Sequence, residues 1–374
     1  MKRFLALLLA CLLALTATAC GVDADLRAGK AALEAGEYPE AYTHLSASSS
    51  EEAAALLEKL VFVPAEKVSY NGDVENGRVS YTYDAHGYVL TVKQAFVDHV
   101  TDETYTYDEK HQLLTFEKTG STADKTTYTY DEAGNRVSKL WEQEDIATEW
   151  LYTYDEQHRM LKKTQIDRPS GDTFTETYRY DDKGNRVFER NVYPDGVWYE
   201  HHYEYDEDSK PLHQSGADSE GGNYEYVYTY DEAGLVTEIA HSSGWTRTYT
   251  YDAQGRMLSE EHTDGLKVTY AYDEQGNVLK ATEYSGNQWS TVSYTYDSCG
   301  NKLSKAFESS YGNAVDDLFF TYDAYGNKLT EEAREGDAVK YRWEYSWELY
   351  YYPDGVPEEV ASIRQSCIVD QPYM

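Results

Sequence analysis

Eleven aspartates recur along the chain, each directly preceded by tyrosine, at 84, 108, 131, 155, 181, 206, 231, 252, 273, 297 and 323. A regular row of carboxylates could hold hard cations such as Ca²⁺, which gather several oxygens. In eight copies, however, Gly stands three residues after the Asp. Asp opens a tight turn by accepting bonds from the backbone ahead, and Gly supplies the positive φ that closes it. Each carboxylate therefore has a structural task in its own turn, and the spaced acidic ligands of calcium loops are absent. His201 and His202 are adjacent, so on a strand they face opposite ways and do not jointly chelate. No Gly-x-Ser-x-Gly, His-Glu-x-x-His or P-loop spacing occurs. Catalysis gathers a few unlike groups, whereas a repeat supplies the same ones repeatedly. The expectation is a protein without catalytic residues, bound metal or cofactor. Tryptophan offers more: Trp198 and Trp289 each lie eight residues before their Asp. That even offset places them opposite the tyrosines, and two readings stand. They form a platform that stacks on a sugar, with neighbouring carboxylates for its hydroxyls, or they pack under a bent loop. Trp150 and Trp245 lie at odd offsets, on the tyrosine face.

These residues need elements to position them, and the elements follow from the repeat. Three residues before the Asp stands another aromatic, as in Tyr81, Tyr128 and Tyr249, with Thr between the two rings in eight copies. Aromatics two apart around a β-branched polar residue make a strand with one aromatic face. An apolar residue follows six after the Asp in ten copies, for example Leu90, Val137, Leu258 and Leu303. Each copy thus reads as a β-hairpin, with Tyr83, Asp84, Tyr130, Asp131, Gly134, Tyr251, Asp252 and Gly255 as representative structural residues. A four-residue loop puts the Tyr and the apolar residue on one face; a three-residue loop separates them. Economy of apolar surface favours the four-residue loop. One hairpin alone is marginal in water. Stacked copies set Tyr beside Tyr at roughly 0.2–1 kcal/mol per cross-strand pair, and twist curls the resulting long sheet.

The pattern Tyr-x-Tyr-Asp-x-x-Gly-Asn/Arg-x-apolar, as in Tyr128 to Val137 and Tyr249 to Leu258, resembles the YD repeat of the RHS family. That family includes bacterial RHS proteins, wall-associated proteins, Tc-toxin shells and teneurins. The resemblance covers about residues 79–330 and implies a spiral of β-hairpins, closed in large members into a hollow shell around a toxin. This array reads as too short to enclose much. It shows no Asp-Pro-x-Gly motif after the repeats and no toxin domain, which argues against delivery.

The first residues give an address. Lys2 and Arg3 precede an apolar run from Phe4 to Leu15, the layout of a signal peptide. Ala17-Thr18-Ala19-Cys20-Gly21 resembles the lipobox of bacterial lipoproteins, with Ala17 where Leu is commoner. The resemblance implies cleavage before Cys20, acylation of that residue, and anchoring to the outer face of a bacterial membrane. Stable anchoring takes two or more acyl chains. Cys299 and Cys367 would be exported with the chain, where a disulfide is open to them but not required.

Net charge is −34, from 33 basic and 67 acidic residues. Nucleic-acid binding is excluded as a reading, because phosphate contacts come from Lys and Arg. With 38 Tyr among 374 residues, the chain is too aromatic for disorder. Residues 24–60 are rich in Ala, Leu and Glu and read as helical. Ala32 to Tyr42 looks like half of a tetratricopeptide repeat, and a lone unit reads as a cap rather than a peptide-binding array. The expected organisation is a signal peptide (1–19), a lipidated helical region (20–68), a YD-repeat array (69–340) and a capping segment (341–374). The expected fold is mainly β: antiparallel hairpins in a long curled or spiral sheet with a short α-helical cap. The expected function is a non-enzymatic surface module for glycan or protein, partnered by the membrane through its lipid. A structural scaffold, or a reduced shell associated with a toxin or secretion system, is the alternative.

Overall fold

The computed structural model describes residues 23–120, 122–312 and 316–368. The expected signal segment and the expected lipidation site Cys20 lie outside the described residues. The chain opens with α1 (Ala24–Ala35), α2 (Tyr38–Ala47) and α3 (Glu51–Leu57). Asp23 caps α1 by accepting the Leu26 N–H at 3.0 Å, and Gly36 ends it at φ 75°. Pro39 lies in the first turn of α2, where its missing N–H is not needed. Ser50 caps α3 through the Ala53 N–H at 3.0 Å. Helix was expected as far as Leu60, but α3 stops at Leu57 and Leu60 begins β1 (Leu60–Asn71). The helices bury Ala32, Ala41, Leu45 and Ala53 against Leu60 and Leu349 of the sheet. They act as a cap on strands rather than as a free repeat unit.

Twenty-four antiparallel strands follow among the described residues, each paired with the next. The last, β24 (Ala338–Tyr351), returns to pair with β1 over eleven positions, from Leu60↔Tyr351 to Asn71↔Tyr341. The sheet is therefore closed. This corrects the expected open, curled or spiral sheet: the ring has no free edge to protect. At about 4.8 Å per strand its perimeter is about 115 Å. The expected boundaries at 69 and 341 both fall inside strands, and those two strands make the seam.

The hairpin geometry corrects a second expectation. In the first repeat the Asp84 N–H donates to the Tyr88 carbonyl (2.9 Å) and the Gly87 N–H to the Asp84 carbonyl (3.1 Å). That is a three-residue loop closed by a left-handed glycine, not a four-residue loop. Beyond it β2 (Val74–Tyr83) and β3 (Val89–Phe96) pair Tyr83↔Val89 and Thr82↔Thr91, leaving Leu90 as a bulge. Val89 is fully buried on the tyrosine face, whereas Leu90 is 39% exposed on the other. The extra bulge residue turns the recurring apolar side chain outward.

The turn explains both the Asp and the Asn that often follows the Gly. Asp131 accepts the Asn135 backbone N–H (2.9 Å) and, through its second oxygen, the Asn135 side-chain amide (2.8 Å). The Asn135 bond holds the Asp131 carboxyl below its ordinary value, and Asn185 does the same for Asp181. Three copies lack the glycine, so His111, His158 and Ser209 adopt φ of 58°, 63° and 62° themselves. Left-handed backbone costs an L-residue about 1–2 kcal/mol, partly offset by glycine's extra unfolded-state entropy. Ser209→Gly should therefore raise unfolding free energy by about 0.5–1 kcal/mol, outweighing its exposed bond from Asn185. Gly134→Ala, at φ 91°, should lower it by about 1 kcal/mol. Urea denaturation followed by circular dichroism checks both, and equal stability of Ser209→Gly and the parent would refute the strain.

Candidate functional site

Every hairpin sends two aromatic rings to one face, and the ring next to the Asp makes a bond that links neighbouring repeats. The Tyr107 hydroxyl donates to the Val89 carbonyl at 2.9 Å. Tyr130 reaches Leu113, Tyr154 reaches Arg136, and Tyr180 reaches Met160, at 2.8–2.9 Å. From Tyr107 to Tyr296 the acceptor is the first residue of the preceding second strand, five after its Asp. The reason lies in the pairing: β3 and β4 (Val100–Tyr107) part after Thr91↔Thr104. The Val89 carbonyl falls beyond the last backbone pair, and the phenol takes it. A buried carbonyl left alone costs about 1–3 kcal/mol.

The ladder continues across the seam. Tyr83 donates to the Pro64 carbonyl of β1 at 2.7 Å. At the other side the Trp347 indole N–H replaces a phenol and donates to the Lys328 carbonyl at 2.7 Å. The residue five after the Asp has a second task, because its side chain sits between aromatic rings of successive repeats. Arg136 lies over Tyr128 and Tyr152 (5.7 and 5.4 Å), and Arg186 over Tyr178 and Tyr203 (5.7 and 5.3 Å). Lys302 and Lys328 bridge Phe320 in the same way. Sequence reasoning fixed on the position six after the Asp and missed this one. Its signal was present, since Val, Leu, Met, Pro, Arg or Lys stands there in all eleven copies.

The tyrosine face is the lumen. Helix α4 (Glu358–Ile368) packs on it, with Val360 against Val63, Tyr83 and Tyr352. Its Cys367 thiol lies 3.8 Å from the Tyr81 hydroxyl. Glu358 approaches Arg136 on β7 (Arg136–Gln143) at 3.9 Å, and the Ile368 carbonyl accepts from Lys328 on β23 (Lys328–Glu335) at 3.4 Å. Those strands are eight spacings apart, about 38 Å along the sheet, while the helix is about 16 Å long. Only a concave face draws them together. The helix fills one side of the lumen, where Lys328 and Glu331 form a buried 2.7 Å ion pair. Burial also holds the Lys67 ammonium below its usual range. On the far side Tyr228, Tyr249 and Tyr270 are half-buried.

The candidate ligand residues are not brought together. Trp198 starts β12 (Trp198–Tyr205) and Trp289 lies in β20 (Gln288–Tyr296), eight strands apart around the ring. Both lie opposite the tyrosine face. Trp198 is half-buried under the Arg190 guanidinium, 4.7 Å from its ring. Trp289 is 36% exposed and pairs with Tyr284, itself 42% exposed. Trp150 shares the face of Tyr152 and Tyr154, its indole N–H donating to Gln165; Trp245 stacks on His241 at 5.0 Å. His201 bonds the Tyr224 hydroxyl while His202 packs on Phe188, so the two diverge. Among the described residues no three His, Cys, Asp or Glu side chains converge on one metal-sized space. Cys299 is exposed, Cys367 is buried, and both are free thiols, so no disulfide joins them. No described helix is long and apolar enough to cross a membrane.

The family model for the teneurin YD-shell matches residues 45–200, and that for the RHS repeat matches residues 230–267. The chain belongs to the RHS/YD-repeat family. Among solved structures, this YD-repeat chain is similar to TcdB2-TccC3-TEV at 14% identity and TM-score 0.41, over 73% of this chain and 16% of that one. TcdB2-TccC3-Cdc42 matches at 14% identity and TM-score 0.30, over 76% and 18%. A porin-like protein from Bacteroides uniformis matches at 10% identity and TM-score 0.23, over 76% and 98%. The chain thus spans less than a fifth of the two TcdB2-TccC3 chains. No curated protein matches it.

Two measurements test the YD ladder. Tyr154→Phe should lower unfolding free energy by about 1–2 kcal/mol, because it strands the Arg136 carbonyl. Thr153→Val, on the outer face, should change it by under about 0.5 kcal/mol. Equal effects would deny the bond its role. Burial also raises the ladder phenols, pushing Tyr130 up to about 12, against about 10 when unfolded. A raised folded value means this stability is fully present below pH 10 and lost as pH climbs through 10 to 12. Tyrosinate absorbance should therefore lag behind that of denatured chain and rise together with loss of the sheet signal.

Proposed function

We propose that this protein is a non-catalytic shell: a closed YD-repeat ring that works as a scaffold, tethered through acylated Cys20 to the outer face of a bacterial membrane. The observation that carries the reading is the β24–β1 seam. Eleven paired positions convert a string of hairpins into a walled body with an inside. The wall is built of like units, and its inner face already shelters α4. Along the repeats that face offers the same groups again and again, rather than the few unlike ones that catalysis needs. The net charge of −34 keeps such a body soluble and away from anionic polymers.

A second reading is kept for one place on the outer wall. Trp289 and Tyr284 stand opposite each other on β20 and β19 (Val278–Ser285), both exposed, and paired rings of this kind stack on neutral sugars. Half-covered Trp198 is the weaker platform.

Expression in a lipoprotein-processing bacterium tests the main reading. The chain should fractionate with membranes, carry acyl groups on Cys20 by mass spectrometry, and be shaved by protease from intact cells. Cys20→Ser should release it. Small-angle scattering of residues 21–374 should give the distance distribution of a hollow ring, and a filled-sphere profile would sink the shell. A glycan array read with Trp289→Ala beside Trp198→Ala tests the second reading, with loss expected only in the first variant.

A further inference from the structure

Where the helical head meets the seam lies a cleft of about 560 Å³. Its walls are six rings: Tyr38 and Tyr42 from α2, Phe62 from β1, Tyr325 from the last repeat turn, and Trp347 and Tyr350 from β24. The rings are arranged as a partial cage. Phe62 and Tyr325 stack at 5.1 Å, and Tyr42 stands edge-on to both, at 5.7 and 5.2 Å. Tyr38 and Tyr350 lie 6.1 Å apart with their rings tilted at 53°. Glu348 is the one charged side chain among the lining residues, and it accepts the Tyr350 hydroxyl at 3.0 Å.

We propose that this cleft binds a free organic cation, a quaternary ammonium or alkylated amine, between the ring faces and beside Glu348. Aromatic faces carry negative quadrupole and hold such cations without hydrogen bonds. A sugar needs several convergent polar groups to fix its hydroxyls, and here the polar groups are phenols and one carboxylate already engaged. An anion would meet Glu348 and a chain of net charge −34. The amino end of α2 adjoins the cleft with a partial positive charge, but Glu37 and Glu40 sit on that same first turn and offset it.

Tyr325 is the strongest sign that the cage is not a by-product of folding. It lies two residues after its Asp, where the other ten copies carry His86, Lys110, Ala133, Gln157, Lys183, Asp208, Ala233, Gln254, Gln275 and Cys299. The turn forms equally with any of these, so nothing in the hairpin asks for an aromatic. The side chain is 52% exposed and completes the cleft. This inference stands independently of the shell reading.

Saturation-transfer NMR on the full chain tests it, with choline and tetramethylammonium as probes and neutral 3,3-dimethylbutan-1-ol as the shape-matched control. Saturable transfer to the N-methyl protons is expected, with the alcohol at least about tenfold weaker. Tyr325→Gln, which installs a residue other turns already use, and Glu348→Gln should each weaken choline about fivefold with unchanged circular dichroism. Equal binding of the alcohol, undiminished binding by both variants, or no transfer from either cation would each overturn the proposal.

Discussion

The fold depends on one carbonyl per repeat. A bulge after each turn makes strands of neighbouring hairpins part early, and the freed carbonyl needs a donor. The phenol beside the Asp supplies it, as Tyr107 does for Val89. Because that donor comes from the next hairpin, the bond couples successive units where the backbone ladder does not. The Asp fixes the turn, the turn fixes where the bulge falls, and the bulge decides which carbonyl the next Tyr must reach. The same short pattern therefore sets local shape and long-range stacking together, as expected of a quasi-one-dimensional repeat.

The seam obeys this rule with different residues. β1 contains no Tyr-Asp pair, yet Pro64 offers the carbonyl that Tyr83 requires. β24 ends its own alternation in Trp347, whose indole N–H stands in for a phenol over Lys328. Closure thus adds no new chemistry; it uses substitutes that keep the inner wall continuous. The helical head and α4 both gather at this sector, and the fully buried apolar side chains concentrate there.

Much of the repeat was legible in the chain: the hairpins, the aromatic face, the turn role of Asp84 and its counterparts, and the family. What was not legible depended on residues distant in sequence or on backbone detail. Nothing local in Leu60 to Asn71 says that it pairs with Ala338 to Tyr351, and without that pairing the array reads as open. The longer loop follows from the sequence because apolar economy groups Leu90 with Tyr83. One extra residue in the strand reversed its side, and apolar economy was met instead by Val89. Trp198 and Trp289 were placed on the correct face by alternation, but their separation around the ring was invisible before the number of strands between them was known. The aromatic cleft was missed because its six rings come from four elements, and only Tyr325 breaks a pattern that the chain itself displays.

The seam also decides how the ring bears force. β1 is flanked on one side by eleven registered pairs with β24 and on the other by six with β2. A pull on the chain ahead of Leu60, directed along the strand, loads these bonds in shear, so both ladders resist together rather than opening one rung at a time. A hairpin array with a free first strand would unzip from that end. Here the strand that takes the tension is locked between the first hairpin and the last, and mechanical strength comes from joining the two ends of the sequence.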